Sequence, residues 1–158
     1  MNIMRVYGRK TFGMPFAQIS LSKRSEKKEK MKILIVDDNK SWAFIVRVML
    51  EEEGFEVRLA SDGEAGYSTY LSFRPDLVIT DIQMRSINGL EMISMIRKHD
   101  PKVKTIYMSS EFDGFRSLLE KEKARFEAGL LKKPFTKEEL LNLISKFFRE
   151  KLNVSTGI

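Results

Sequence analysis

The sequence predicts an α/β protein in which five parallel strands form one sheet covered by helices on both faces. Short apolar runs of strand length alternate along the chain with segments of helical periodicity. Most of the strand runs contain consecutive apolar residues, as expected for strands that are buried on both faces of a parallel sheet. None of these runs is long enough to span a bilayer, so no membrane insertion is expected.

The first half of the chain contains three predicted strands and two predicted helices. The strands cover residues 32–36, 55–60 and 76–80. The helix between the first two stops at Gly54 and has an apolar face formed by Trp42, Ile45, Val46, Met49 and Leu50. A second helix covers about residues 64–73 and ends before Pro75, because a residue that precedes proline disfavours the helical conformation.

The second half contains two further strands and three helical segments. Asn88 caps a helix that runs to about His99, with Leu90, Ile93 and Ile96 facing inward. Strand four covers residues 103–108, a charged helical segment covers 111–127, and a short strand covers 129–131. The last helix begins after Thr136, which forms a capping box with Glu139, and its apolar stripe consists of Leu140, Leu143, Ile144 and Phe147.

Charge is distributed unevenly along the chain. Residues 1–30 hold eight basic and two acidic residues, a net charge of +6, and residues 31–158 hold 20 of each. The basic segment 1–30 is interpreted as a disordered arm, or as untranslated sequence if synthesis starts at Met31. Residues 31–150 form the predicted domain, and 151–158 form a short tail. Because the domain itself is neutral, no nucleic-acid partner is expected.

Polar residues follow four of the five strands. Asp37 and Asp38 end the first strand, Asp81 the third, Ser109 the fourth and Lys133 the fifth. Carboxyl ends of parallel strands meet at one edge, and converging carboxylates repel each other unless a cation is present. Oxygen ligands suit Mg²⁺ or Mn²⁺, and the absence of cysteine argues against a thiolate site. Lys133 and Ser109 would bind phosphoryl oxygens, and Asp81 would accept the phosphoryl group.

Four motifs resemble the receiver domain of two-component response regulators, including the chemotaxis regulators. They are KILIVDDN at 32–39, PDLVITDIQM at 75–84, NGLE at 88–91 and LLKKPF at 130–135. The resemblance implies a flavodoxin-like doubly wound (βα)5 sandwich with strand order 2-1-3-4-5. It also implies a cytoplasmic phosphoacceptor switch, not a metabolic enzyme, that receives its phosphoryl group from a sensor histidine kinase or a histidine phosphotransfer protein.

The resemblance implies a role for each residue of the acidic site. Asp81 matches the phosphorylated aspartate of the family. Asp38 matches the direct Mg²⁺ ligand, Asp37 the ligand that usually acts through water, and the backbone carbonyl of Gln83 the third protein ligand. Ser109 matches the hydroxyl residue that turns toward the phosphoryl group in the active state.

Further positions match residues that pair with the phosphoryl group or modulate switching. Lys133 matches the lysine that pairs with the aspartyl phosphate, and Pro134 the following proline, which often has a cis peptide bond. Trp42 is expected at the rim of the site. Gln83 and Glu111 occupy positions that influence the lifetime of the acyl phosphate.

Two positions depart from the family pattern. Arg85 replaces the proline that usually follows the methionine of the third-strand loop, and so adds a cation near the site. Leu130 replaces the aromatic switch residue of strand five, so the familiar aromatic rotation is not available there. The face formed by helix four, strand five and helix five is therefore expected to be peculiar to this protein.

The sequence leaves alternatives to a stand-alone switch that docks an unknown downstream protein. One is a receiver-fold interaction module that works without phosphorylation. Another is the receiver fragment of a longer transcriptional regulator. A phosphatase of the aspartyl-phosphate type is disfavoured, since Asp81 is followed by Ile82-Gln83 and the Asp-x-Asp signature is missing.

Overall fold

The computed structural model describes residues 28–149 of the 158-residue chain. The chain divides into two units, Met1–Lys30 and Met31–Ile158. Of the first unit only residues 28–30 are described, and they form neither helix nor strand. The interpretations of the basic arm and of the 151–158 tail therefore fall on residues outside the described range.

Five parallel strands form a single sheet within residues 28–149. They are β1 (Lys32–Val36), β2 (Glu56–Ala60), β3 (Leu77–Asp81), β4 (Thr105–Ser109) and β5 (Ala128–Lys132). Their order in the sheet is β2-β1-β3-β4-β5, and every neighbouring pair is parallel. The predicted fold class and strand order are confirmed. The central strand β3 is buried along its whole length, as its apolar sequence predicts.

Helices connect the strands and follow the last one. They are α1 (Lys40–Glu51), α2 (Gly63–Phe73), α3 (Gly89–Arg97), α4 (Arg116–Arg125) and α5 (Lys137–Phe147). The segment predicted as one helix over 111–127 is a short 3-10 turn at Asp113–Phe115 followed by α4. None of the helices in the described range is long and apolar enough to cross a membrane.

The two faces of the sheet have separate apolar cores. Ile33 and Ile35 of β1 face one core, which includes α1 and α5 residues. Leu34 and Val36 face the other core, which includes residues of α2, α3 and α4. Successive side chains of one strand thus enter opposite layers, which is the alternation that a two-sided sheet requires.

Polar caps fix where the helices begin. Asn39 accepts a hydrogen bond from the Trp42 backbone N–H at 3.1 Å. Asn88 forms a complete capping box at the start of α3, and Thr136 forms the predicted one at the start of α5. Arg74 ends α2 in the left-handed conformation, with φ of 51°, directly before Pro75.

The buried face of α1 differs from the predicted one. Ala43, Val46 and Leu50 are buried, whereas Ile45 is 44% exposed, so its assignment to the inward face was wrong. Ile45 lies about 100° around the helix from Val46, which is outside the arc that meets the sheet. The apolar arc of this helix is therefore wider than the surface that packs.

Candidate metal centre and phosphoacceptor site

Three aspartates meet at the carboxyl edge of the sheet. Asp37 and Asp38 follow β1, and Asp81 is the last residue of the neighbouring β3. One carboxylate oxygen from each lies within 4.8 Å of the others. The Asp37 side chain is fully buried and Asp38 is exposed, so the cluster extends from the interior to the surface. The predicted convergence of these carboxylates is present in the structure.

Lys133 bridges two of the three carboxylates. Its Nζ lies 2.7 Å from Asp37 Oδ2 and 3.2 Å from Asp81 Oδ2, and its side chain is 16% exposed. The backbone N–H of Lys133 donates to the Ser109 carbonyl at 2.9 Å, which fixes the start of the loop beyond β5. The Lys133–Pro134 peptide bond is cis, as the resemblance implies.

Backbone contacts hold the ends of β1 and β3. The Asn39 N–H donates to Asp37 Oδ1 at 2.8 Å. The Thr80 hydroxyl donates to the Asp81 carbonyl at 2.8 Å. That carbonyl also packs against Gly89, where an added Cβ would lie only 2.2 Å from it. This role of Gly89 was not predicted from the sequence, although a glycine directly after a helix cap could have suggested a close backbone approach.

The electrostatics of the pocket favour a cation. Burial raises the pKa of Asp81; the charge of Lys133 lowers it in part, and the charge of Asp37 raises it further. The cluster contains three carboxylates, and the Lys133 ammonium group pairs with two of them, so negative charge is in excess among these four side chains. The donor atoms are all carboxylate oxygens, which is the set that a hard divalent ion such as Mg²⁺ prefers. The residues therefore fit Mg²⁺ or Mn²⁺.

Trp42 lies beside the pocket, as expected from its position one turn into α1. Its ring packs edge-on against Phe135, with ring centroids 5.0 Å apart. Lys133 Nζ is 5.9 Å from the indole ring. The indole Nε1 is buried and has no hydrogen-bond partner among residues 28–149.

Ser109 is near the pocket, but its hydroxyl is bound elsewhere. The Oγ donates to the Glu111 carbonyl at 2.7 Å and accepts from the Glu111 backbone N–H at 3.1 Å. The residue is only 2% exposed. In this structure the hydroxyl therefore closes the turn after β4 and makes no hydrogen bond to the carboxylates.

The remaining predicted residues differ in exposure and position. Gln83, Arg85 and Glu111 are exposed, and Leu130 is half-buried against the core that contains α4. Arg85 and Asp38 both line an open cleft of about 300 Å³ beside the acidic cluster. The structure thus places a cation next to the exposed aspartate, where the family has proline. The roles assigned to these residues stay predictions.

The parallel sheet, with an acidic cluster and a bridging lysine at its carboxyl edge, defines the receiver class of two-component signalling proteins. The family model described as the response regulator receiver domain matches residues 33–145. The chain belongs to this family. Receiver domains act as phosphoacceptor switches and are generally not classical enzymes.

Known proteins similar to this chain support the same assignment. The transcriptional regulatory protein RprY of Bacteroides fragilis is 27% identical over 124 residues, which are 77% of this chain and 50% of that protein. The structure of the chemotaxis protein CheY4 of Vibrio cholerae has a TM-score of 0.68 at 28% identity and covers 75% of this chain and 98% of its own. A CheX-CheY-BeF3-Mg complex from Borrelia burgdorferi has a TM-score of 0.68 at 25% identity, covering 75% of this chain and 89% of that one. The chain spans about half the length of several curated relatives that it matches.

Proposed function

We propose that this chain is a Mg²⁺-dependent phosphorylation switch in which Asp81 accepts a phosphoryl group from a sensor histidine kinase or a histidine phosphotransfer protein. The observation that carries the proposal is the cluster of Asp37, Asp38 and Asp81, with Lys133 bound to two of them. The structural neighbour from Borrelia burgdorferi is a CheY protein in a complex that contains both Mg and BeF3. The presence of both Mg and BeF3 in that complex supports the proposal that the acidic pocket of this chain binds a divalent ion together with a phosphoryl group.

Asp37, Asp38, Asp81 and the backbone carbonyl of Gln83 would hold the ion. When bound, Mg²⁺ supplies positive charge that neutralises the phosphoryl oxygens and the crowded carboxylates. A bound divalent ion would offset the repulsion among the three acidic side chains, of which Lys133 pairs with two.

The phosphoryl transfer uses groups that the fold already positions. A carboxylate oxygen of Asp81 forms the new bond to phosphorus, while the P–N bond of the donor phosphohistidine breaks and its electron pair stays on the imidazole, which then takes up a proton. Lys133 lies 3.2 Å from Asp81 Oδ2 and pairs with the phosphoryl oxygens. Ser109 leaves Glu111 and donates its hydroxyl hydrogen bond to the phosphoryl group, which biases the domain toward its active conformation.

Intact-mass measurement after incubation with acetyl phosphate and Mg²⁺ tests the acceptor. We expect a gain of one phosphoryl group in the unmodified chain, dependent on Mg²⁺ and absent in Asp81→Asn. Asp113→Asn is the matched control, because Asp113 is an exposed aspartate in the turn before α4, and it should be phosphorylated normally.

A phosphoryl adduct that persists in Asp81→Asn, or that forms equally in the presence of a chelator, would contradict the proposal. If no adduct forms with acetyl phosphate, a phosphorylated histidine phosphotransfer protein serves as the second donor. Failure with both donors would favour the interaction module that works without phosphorylation.

Output through contact with a downstream protein, without nucleic acid, is part of the same proposal. The support is the neutral charge balance of residues 31–158, with 20 basic and 20 acidic residues. The name of the Mycobacterium leprae relative, DNA-binding response regulator MtrA, describes that whole protein, and this chain covers 48% of it. Affinity for duplex DNA that matched the affinity for a captured protein partner would overturn this part of the proposal.

A further inference from the structure

A groove runs between α3 and α4, on the sheet face opposite to α1 and α5. It has a volume of about 300 Å³, and its apolar lining residues are Leu90, Leu118 and Phe126. The Leu118 side chain is 52% exposed. A single exposed leucine is ordinary on a protein surface, and it indicates a binding site only where the neighbouring groups complete one.

A polar bridge joins the two helices at the base of this groove. Helix α4 buries one apolar residue, Leu119. One turn further on, Glu122 pairs with Arg97 of α3 at 2.8 Å and accepts a hydrogen bond from the Tyr107 hydroxyl at 2.7 Å. The Arg97 guanidinium also lies 3.5 Å from the centroid of the Phe126 ring. The charged groups at the base of the groove therefore already have partners, and they hold α3 and α4 in place.

Two cations on the α4 side of the groove have no such partners. Lys121 and Arg125 are exposed, and neither forms an ion pair within residues 28–149. The acidic lining residues are both engaged, because Glu122 belongs to the polar bridge and Glu91 accepts the Asn88 backbone N–H at 3.0 Å in the cap of α3. The charge that the groove offers to a ligand is therefore positive.

The spacing of these groups matches one side of a helix. Leu118, Lys121 and Arg125 follow each other at intervals of three and four residues, so they lie along the same side of α4. The rise from Leu118 to Arg125 is about 10 Å, or about two helical turns. A second helix laid in the groove would place apolar side chains against Leu118 and carboxylates one turn apart beside the two cations.

We propose that the groove between α3 and α4 is a docking site for an acidic amphipathic helix of a partner protein. Leu118 supplies the apolar contact, and Lys121 and Arg125 pair with carboxylates of the bound helix. The groove and its polar bridge are present without a phosphoryl group on Asp81, so docking does not require phosphorylation. This inference therefore goes beyond the proposed function and does not depend on it.

Fluorescence anisotropy of the full chain with a labelled synthetic peptide tests the docking. The probe is a short helical peptide with leucines at i, i+4 and i+7 and glutamates on both sides of that stripe. A second peptide has lysine in place of every glutamate. We expect the acidic peptide to bind about tenfold more tightly than the lysine peptide and to weaken as salt is added. Asp81→Asn should bind the acidic peptide as tightly as the unmodified chain does.

Two variants with matched controls locate the bound peptide. Leu118→Ala should weaken binding about tenfold, because it removes most of the apolar contact of one leucine. Leu71→Ala, at a leucine of α2 that is 46% exposed, should leave binding unchanged. Lys121→Glu should weaken binding about fivefold, since an attraction becomes a repulsion. Lys123→Glu changes the net charge equally on the same helix but outside the groove, and should have little effect. Urea unfolding confirms that the four variants remain folded.

Several results would overturn the docking site. One is that the acidic peptide does not bind, or binds no better than the lysine peptide. Another is an equal loss of affinity in Leu118→Ala and Leu71→Ala, or in Lys121→Glu and Lys123→Glu, because the peptide would then not lie in the groove. Duplex DNA that binds the unmodified chain and Leu118→Ala alike, but not Lys121→Glu, would assign the cations to nucleic acid instead.

The same measurements keep this inference separate from the proposed function. Peptide binding that appears only after treatment with acetyl phosphate and Mg²⁺ would overturn docking to a groove that is already formed. Peptide binding without any phosphoryl adduct on Asp81 would support the docking site and count against the phosphorylation switch.

Discussion

Replacing Lys133 by methionine removes the ammonium group that pairs with Asp37 and Asp81 while nearly keeping the length of the side chain. Its Nζ lies 2.7 Å from Asp37 and 3.2 Å from Asp81. At an effective dielectric constant of about 20 these attractions amount to about 6 and 5 kcal/mol before desolvation. Breaking a buried ion pair by removing one partner costs about 3–5 kcal/mol, and the slight exposure of Lys133 favours the lower end. We therefore expect Lys133→Met to lower the free energy of unfolding by about 3 kcal/mol.

Urea unfolding followed by circular dichroism, with a chelator and then with Mg²⁺, measures this loss. Lys132→Met is the matched control, since Lys132 is the adjacent, exposed lysine and forms no ion pair within the described part of the chain. We expect Mg²⁺ to recover part of the stability of Lys133→Met, because an ion that binds only the folded state stabilises it. Adding Asp81→Asn should recover part of it without the ion, since one of the two uncompensated charges is gone.

Two results would refute this reasoning. If Lys133→Met and Lys132→Met lose the same stability in the chelator, the ammonium group does not compensate the buried carboxylates. If the gain in free energy of unfolding on adding Mg²⁺ is no larger in Lys133→Met than in Asp81→Asn, the three aspartates do not form the ion site.

The packing around the site and beneath α4 leads to three further predictions. Gly89→Ala should lower the free energy of unfolding by about 1–3 kcal/mol or more in urea titrations, because its Cβ would lie 2.2 Å from the backbone carbonyl that ends β3. Gly114→Ala, with no atom within 4 Å of the added Cβ, should be nearly neutral. Burial and the neighbouring carboxylate raise the pKa of Tyr107, so the unfolded chain releases this proton at lower pH than the folded one. The contribution of this hydroxyl to the free energy of unfolding is therefore complete below the ordinary tyrosine pKa and decreases as the pH rises above it. Chemical unfolding at increasing alkaline pH should show a smaller loss of stability in Tyr107→Phe than in the unmodified chain. Mg²⁺ should change the fluorescence of Trp42, the single tryptophan, because the ammonium group 5.9 Å from its ring shifts when the ion enters. An unchanged emission spectrum in an Mg²⁺ titration, with binding confirmed by calorimetry, would contradict that expectation.

The sheet and the acidic cluster were predictable because their signals are local. Four of the five strands contain consecutive apolar residues, and each polar group of the site lies at or just after the end of one of these four strands. Parallel pairing then brings Asp37 and Asp81 together whatever the details of the loops. The caps at Asn88 and Thr136 were equally visible, since a capping box requires only residues three positions apart.

Features that depend on contact between distant segments were not visible in the sequence. Ile45 is exposed because the arc of α1 that meets the sheet is narrower than its apolar arc, and the helical periodicity of the sequence does not give the width of that contact. The Tyr107–Glu122 hydrogen bond joins a strand to a helix whose charged sequence shows no apolar stripe to orient it. The hydrogen bond from the Ser109 hydroxyl to the Glu111 carbonyl was also not predicted, because a serine hydroxyl can bond to any of several nearby groups and the sequence does not show which one it will use.

The separation of the site residues along the chain has a consequence for how the protein comes to be folded. Lys133 contacts Asp37 across 96 positions and Asp81 across 52. Closing loops of that length costs chain entropy, and this cost is offset only by the strand pairing and packing of the assembled sheet. The pocket is therefore completed when β5 joins the edge formed by β4, after the other strands have been synthesised. A growing chain on the ribosome thus contains its aspartates before its lysine, and the contacts of Lys133 with Asp37 and Asp81 can form only once β5 has docked.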